Sequence, residues 1–214
     1  MCPEISVAST KAFTSQVAAI LLLSLAIGSA KGMSQQKLRE YISELLLLPD
    51  EIEKTLKNHD KEVQALAKKY KAYERALFVG RDTLFPTALE GALKLKEVSY
   101  IQAEAHAAGE LKHGPIALID DNVFVVYYIQ DNWLYEKSQS NLTEINARAG
   151  HVITITDTTK RLQSESMVRL NTKLKLLTPL VFNIISQLLA YYIASARGND
   201  VDQPRNLAKS VTVE

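Results

Sequence analysis

The chain has 214 residues, and its 25 Lys and Arg almost balance its 24 Asp and Glu. Hydrophobic residues at 47% and a net charge of +1 exclude intrinsic disorder and leave no electrostatic footprint for nucleic acid or an anionic membrane. A single cysteine, Cys2, excludes an internal disulfide framework and any site built from several thiolates.

Residues 10–30 read as a helix that is apolar on nearly all faces, and they predict deep burial. Within them, VAAILLLSLAIGSA superficially resembles a signal-peptide core. The leading region is poor in positive charge and contains Glu4, and the run is short for a membrane span. A core helix is the plainer reading. Leu38, Ile42, Leu45 and Leu46 give helical spacing over 35–47. Pro49 then predicts the start of a new helix, with Asp50, Glu51 and Glu53 in its first turn, running to Tyr70. His59 falls on the polar side of that helix.

The period changes at residue 75. RALFVG (75–80), NVFVVYYI (122–129) and HVITIT (151–156) are near-continuous apolar runs that predict buried strands, with a short fourth at 167–170. Helices are predicted from 82–83 to about 102, over 136–149 and over 177–197, the last with Pro179 in its first turn. Alternation of this kind predicts an α/β domain with a parallel sheet covered by helices on both faces, and ligands beyond the carboxyl ends of the strands. No glycine-rich nucleotide signature is present.

Four segments could carry chemistry. Glu90, Lys94 and Glu97 stand at i, i+4 and i+7, on one helical stripe. A carboxylate–ammonium–carboxylate stripe suits proton transfer between adjacent carbons, and an ordinary salt-bridged surface helix fits the same spacing. AEAHAAGELKHGP (103–115) packs His106, Glu110 and His113 into a short stretch, without the spacing of a zinc motif. Gly114–Pro115 predicts a turn that leaves His113 exposed at a loop. Ser9 or Thr10 would cap the first helix, next to Lys11, as a helix cap or an anion site. Lys209 lies in a polar, turn-rich end. In a partly dry pocket it could lose its proton and attack a carbonyl.

The strings PEISVASTKAFTSQ, LEGALKLKEVSYIQAEAHAAGELKHGPIALID and DVDQPRNLAKSVTVE make the chain resemble the glutamine–fructose-6-phosphate aminotransferase (isomerizing) family, over essentially its whole length. The resemblance implies a pair of sugar isomerase (SIS) subdomains, each a three-layer αβα sandwich. It divides the chain into a helical remnant of the first subdomain (1–70), a second subdomain (71–203) and an active-site tail (204–214). The implied reaction makes glucosamine 6-phosphate from fructose 6-phosphate and ammonia released from glutamine. Lys209 would form the Schiff base with the sugar, and Glu97 would move the proton between C1 and C2, beside Lys94 and Glu90. His113 would serve ring opening in the other subunit of a homodimer. Val7, Ser9 and Ala208 would contact the sugar. No metal or organic cofactor is implied, and the expected setting is cytoplasmic, with no nucleic acid or membrane partner.

Departures from the family pattern set further expectations. There is no glutaminase region, and Cys2 is followed by Pro3. Gln102 stands where the family commonly has His, and His106 where it commonly has Tyr. The chain would then be a carboxyl-terminal piece that works with an upstream chain and is weakly active or inactive alone. A non-catalytic module that binds sugar phosphates is the alternative function. Helices 10–30 and 34–47 would expose an apolar face prone to association.

Overall fold

The structure, a computed structural model, describes residues 4–148 and 150–209. Two long helices come first, α1 (Lys11–Ala30) and α2 (Gln35–Tyr70). Then follow β1 (Arg75–Gly80), α3 (Leu84–Ser99), β2 (Gln102–Ala107), two 3₁₀ segments (Ala108–His113 and Pro115–Leu118), β3 (Val123–Ile129), α4 (Tyr135–Asn146), β4 (His151–Thr156), β5 (Ser166–Arg169) and α5 (Thr178–Ala196). The five strands form one all-parallel sheet in the order β2-β1-β3-β4-β5.

Alternation along each strand feeds two cores. Ala76, Phe78, Phe124, Val126, Tyr128, Ile153 and Ile155 point to the face covered by α2, α3 and α5. Leu77, Val79, Val125 and Tyr127 point to the other face, where Tyr135, Leu142 and Ile145 of α4 meet them. Both faces of β3 are therefore dry, which is why its sequence is apolar without a break. Each such side chain contributes about 1.5–3 kcal/mol of transfer free energy. Gly91 lets α3 lie directly on the sheet, because a Cβ there would sit 2.6 Å from the Tyr128 hydroxyl and 2.9 Å from the Phe78 ring. The predicted α/β architecture, with helices on both faces of a parallel sheet, is observed.

Four sequence expectations are corrected. Pro49 does not start a helix; α2 runs through it. The buried stripe of Leu38, Leu48, Thr55, Val63, Ala67 and Tyr70 continues across the proline. One loop is also held from both sides of it. The Glu44 carboxylate accepts the N–H groups of Lys175 and Leu177, and Glu51 accepts that of Lys173. Packing on both flanks offsets the one intrahelical bond that proline removes.

The helix predicted to reach residue 102 ends at Ser99, where Tyr100 adopts a left-handed conformation (φ 62°), and β2 follows as an unpredicted strand. QAEAHA alternates small and polar residues because β2 is an edge strand, and its Ala and Glu residues favour helix in isolation. Pairing with β1 overrides that preference.

The third correction concerns α1. Leu25 is its one buried residue, and Ile20, Leu22, Leu23 and Ile27 are each at least half exposed. No sheet among the described residues lies against it. Helices α1 and α5 are both long and apolar enough to cross a membrane by length and composition.

The fourth concerns the cap of α1. Thr10 is the N-cap residue, but its side chain makes no capping bond. The Glu4 carboxylate takes that role, accepting from the N–H of Thr10 (2.6 Å), the Thr10 hydroxyl (3.0 Å) and the N–H of Lys11 (2.7 Å). The proposed anion site at this helix start is thus filled by the chain's own anion.

Candidate active site

Helix α3 positions the central groups. Glu90 and Lys94 lie on its buried side, and Glu97 stands at the edge of the same stripe, 21% exposed at its side chain. The Lys94 ammonium is 2.7 Å from Glu97 Oε2 and donates to it. It is 3.4 Å from Glu90 Oε1, an ion-pair contact whose geometry leaves that oxygen without a hydrogen bond. The three side chains form one carboxylate–ammonium–carboxylate array, in a drier setting than a surface helix gives. Burial pushes the Glu90 carboxyl above its ordinary range; Lys94 pulls it back, and Glu97 adds to the rise.

Two chain segments converge on the end of α3. Residues 4–10, just ahead of α1, run beside residues 199–209. Ser6 Oγ donates to the carbonyl of Val201 (2.8 Å), and Val7 N to that of Asp202 (3.2 Å). Asn199 Nδ2 donates to the Val98 carbonyl at 3.1 Å. The Tyr100 hydroxyl accepts the Arg205 N–H at 2.8 Å, and the Arg205 guanidinium lies over its ring. Asn206 takes a left-handed conformation (φ 62°), which turns the chain back. The Lys209 ammonium donates to the carbonyls of Glu4 and Ser6.

These segments enclose a cavity of about 180 Å³ against α3 and α5. Lys94 and Val98 line it from α3, Gln187 and Tyr191 from α5, Ser6 and Thr10 from the first segment. It offers an ammonium, hydroxyls and an amide, with Asp202 at its wall beside apolar Ala8, Val98, Ala190 and Val201, which suits a small polyol better than a flat aromatic ligand.

The predicted residues therefore fall into three groups. Glu90, Lys94 and Glu97 are brought together. Val7, Ser9, Ala208 and Lys209 lie on the two segments that flank the cavity, with Ala208 and Lys209 exposed. His113 sits apart, exposed at the end of the first 3₁₀ segment, beside Gly114 at φ 143°. No hydrogen bond joins it to the α3 array among the described residues. Cys2 and residues 210–214 of the predicted tail lie outside those residues. No cluster of three or more metal-ligating side chains occurs among them.

Sequence reasoning missed Glu4, Tyr100, Arg205 and the α5 amides Asn183 and Gln187. The amides left a signal: two polar side chains at i, i+4 in an otherwise apolar helix. Tyr100 and Arg205 did not, because they are far apart in sequence, and Glu4 lies outside the helix it caps.

The chain is similar to known proteins over nearly its whole length. Glutamine–fructose-6-phosphate aminotransferase [isomerizing] of Haemophilus influenzae is 49% identical over 215 residues, covering 99% of this chain. The chain spans about a third of the length of that relative, 35%. Among solved structures, the C-terminal domain of glucosamine-fructose-6-phosphate aminotransferase from Francisella tularensis superposes with a TM-score of 0.89 at 39% identity, over 94% of this chain and 58% of that one. A glucosamine-6-phosphate deaminase from Thermotoga maritima, 20% identical with a TM-score of 0.70 over 99% of this chain and 60% of that one, shares the fold alone. The resemblance read from the three sequence strings is borne out. The SIS domain model matches residues 69–197, from the end of α2 to the end of α5, and the chain belongs to the SIS domain family.

Proposed function

We propose that this chain is the isomerase part of a glucosamine-6-phosphate-forming aminotransferase, acting on fructose 6-phosphate and ammonia. The buried Glu90–Lys94–Glu97 array beside a cavity flanked by the Lys209 segment carries the reading. Proton transfer between adjacent carbons needs one carboxylate held ionised next to the substrate. Glu97, 21% exposed at its side chain and accepting from the Lys94 ammonium, is the carboxylate assigned that role.

The steps then follow from the side chains. A deprotonated Lys209 amine adds to the ketone carbon of the open-chain sugar, and water leaves as the imine forms. Ammonia displaces the lysine. Glu97 removes a proton from C1 and returns it to C2, while the imine nitrogen takes up the proton that the C1 hydroxyl gives up, so that C2 carries the amine and C1 becomes the aldehyde. Lys209 must first leave the carbonyls of Glu4 and Ser6, to which its side chain donates in this structure. His113, distant from the array within one chain, would act on ring opening from a second subunit. Val7, Ser9 and Ala208 would line the sugar.

The same reading assigns residues 1–70 to a first SIS subdomain, 71–203 to a second and 204–214 to the tail. The rest of the relatives' length would supply the glutaminase, the remaining sugar-phosphate contacts and the cover for α1. The reaction would run in the cytoplasm.

The test is to incubate the purified chain with fructose 6-phosphate, reduce with borohydride and map adducts by mass spectrometry. The expected adduct is confined to Lys209 and is lost in Lys209→Ala. Glu97→Gln should keep the adduct and lose turnover by a factor of about 10²–10⁴, the usual worth of a general base. Saturable sugar-phosphate binding with no adduct, even with an amino-terminal complement added, would favour the non-catalytic binding module.

A further inference from the structure

Helix α5 carries a polar stripe that the proposed chemistry leaves unused. Asn183 is 1% exposed, and neither atom of its amide has a partner among the described residues. One turn on, Gln187 Nε2 is also buried and unpartnered, in a side chain that lines the cavity beside Lys94. Opposite them, Glu90 Oε1 is buried without a hydrogen bond. Unpaired polar atoms are rare inside proteins, and of the six among the described residues four lie on α3 and α5, the other two being Arg81 Nε and His106 Nε2.

The stagger of the two helices says which groups face each other. Thr87 Oγ1 on α3 donates to the Pro179 carbonyl on α5 at 3.3 Å. Further along, Lys94 and Gln187 line one cavity, and so do Val98 and Ala190. The same stagger puts Asn183 at the level of Glu90. The neighbouring contact agrees with it. Tyr128 of β3 bonds Ser186 of α5, and its hydroxyl abuts Gly91 of α3.

We propose that Asn183 is a positioning residue, which takes hold of the Glu90 carboxyl when Lys94 commits to Glu97. One ammonium cannot serve two carboxylates equally in a dry interface. Lys94 is already closer to Glu97 than to Glu90. Glu90 then needs another partner, and a primary amide suits either of its charge states. Asn183 Nδ2 donates to the ionised carboxylate, and Oδ1 accepts from the protonated acid. The catalytic consequence rests on the function proposed above: Glu97 would keep Lys94 undivided while it acts as the base.

A double-mutant cycle on unfolding tests the contact without any sugar, so failure of the sugar chemistry leaves it intact. Asn183→Leu fills a similar volume and removes the amide. Alone, it should lower the Tm by several degrees. Combined with Glu90→Met, it should leave the Tm of Glu90→Met unchanged or raise it, because both polar partners are then gone. Equal Tm changes in the two backgrounds would overturn the proposal.

The pH dependence separates positioning from packing. Glu90 is faced by Lys94 and Glu97 from α3 and by Tyr128 from β3, while Asn183 and Ser186 of α5 carry no charge. The Asn183→Leu penalty should be larger at pH 8 than at pH 5, since the ionised carboxylate loses its donor. Asn183→Asp is the second variant. It should be worse than Leu at pH 8 and come close to wild type at pH 5, where two carboxyls can share a proton. Asp and Leu variants that match each other at both pH values would also sink the idea.

Discussion

Helices α1 and α5 are close to equal as sequences and opposite in fate. Each is about twenty residues long, with mean hydropathies of 1.7 and 1.4 in their most apolar windows. Yet 6% of that window is buried in α1 and 61% in α5. Helix α5 lies between α2, α3 and the sheet, and its side chains Phe182, Ile185, Leu189 and Ile193 are almost completely enclosed. Helix α1 meets the core along one edge, through the partly buried Phe13, Val17 and Leu21. Apolarity is a demand for cover, and tertiary structure decides whether the demand is met within the chain.

The sharpest test substitutes one large side chain in each helix. Phe182→Ala should cost about 3–5 kcal/mol, the transfer term plus an unfilled cavity. Leu23→Ala, in α1, should stay within about 0.5 kcal/mol of wild type. Urea unfolding monitored by fluorescence measures both. Similar losses would mean that α1 is covered in solution by something of high stability.

Association is the next effect in size. The exposed Ile20, Leu22, Leu23 and Ile27, with Leu46 of α2, form an apolar face that the isolated chain should bury by self-association. Sedimentation should show species larger than the monomer. Leu22→Glu with Leu23→Glu should shift them to the monomer and leave the urea midpoint of the α5 core unchanged. Unchanged sedimentation would place the contact elsewhere.

The smallest effect lies at the start of α1. Burial would raise the Glu4 carboxyl, but the N–H and hydroxyl of Thr10 and the N–H of Lys11 outweigh it and hold the group below its ordinary value of 4.5. A lowered folded value means that the stabilisation is present above that ordinary value and disappears as pH falls through the folded one. Glu4→Gln should therefore melt slightly below wild type at pH 7, and the two should converge at acid pH. Parallel curves at every pH would show that the charge contributes nothing to the cap.

Much of this molecule is legible in its residues. The central strands announce themselves because β3 and β4 are dry on both faces, and only unbroken apolar runs satisfy that. Glu90, Lys94 and Glu97 share a stripe because helical geometry puts i, i+4 and i+7 on one side. The family follows from three long strings that chance does not assemble. Other features have no local cause. QAEAHA becomes β2 because β1 offers it a hydrogen-bonding edge. Pro49 stays inside α2 because Glu44 and Glu51 grip a loop more than a hundred residues away. Glu4 caps α1 from six residues upstream, across a bend that no helical period describes, and Tyr100 holds Arg205 from a hundred residues away. Periodicity is a property of neighbours along the chain, so sequence determined the helical stripe and the dry strands. Cover, caps and the pairing of buried polar groups depend on what arrives from elsewhere, so only the tertiary structure decided them.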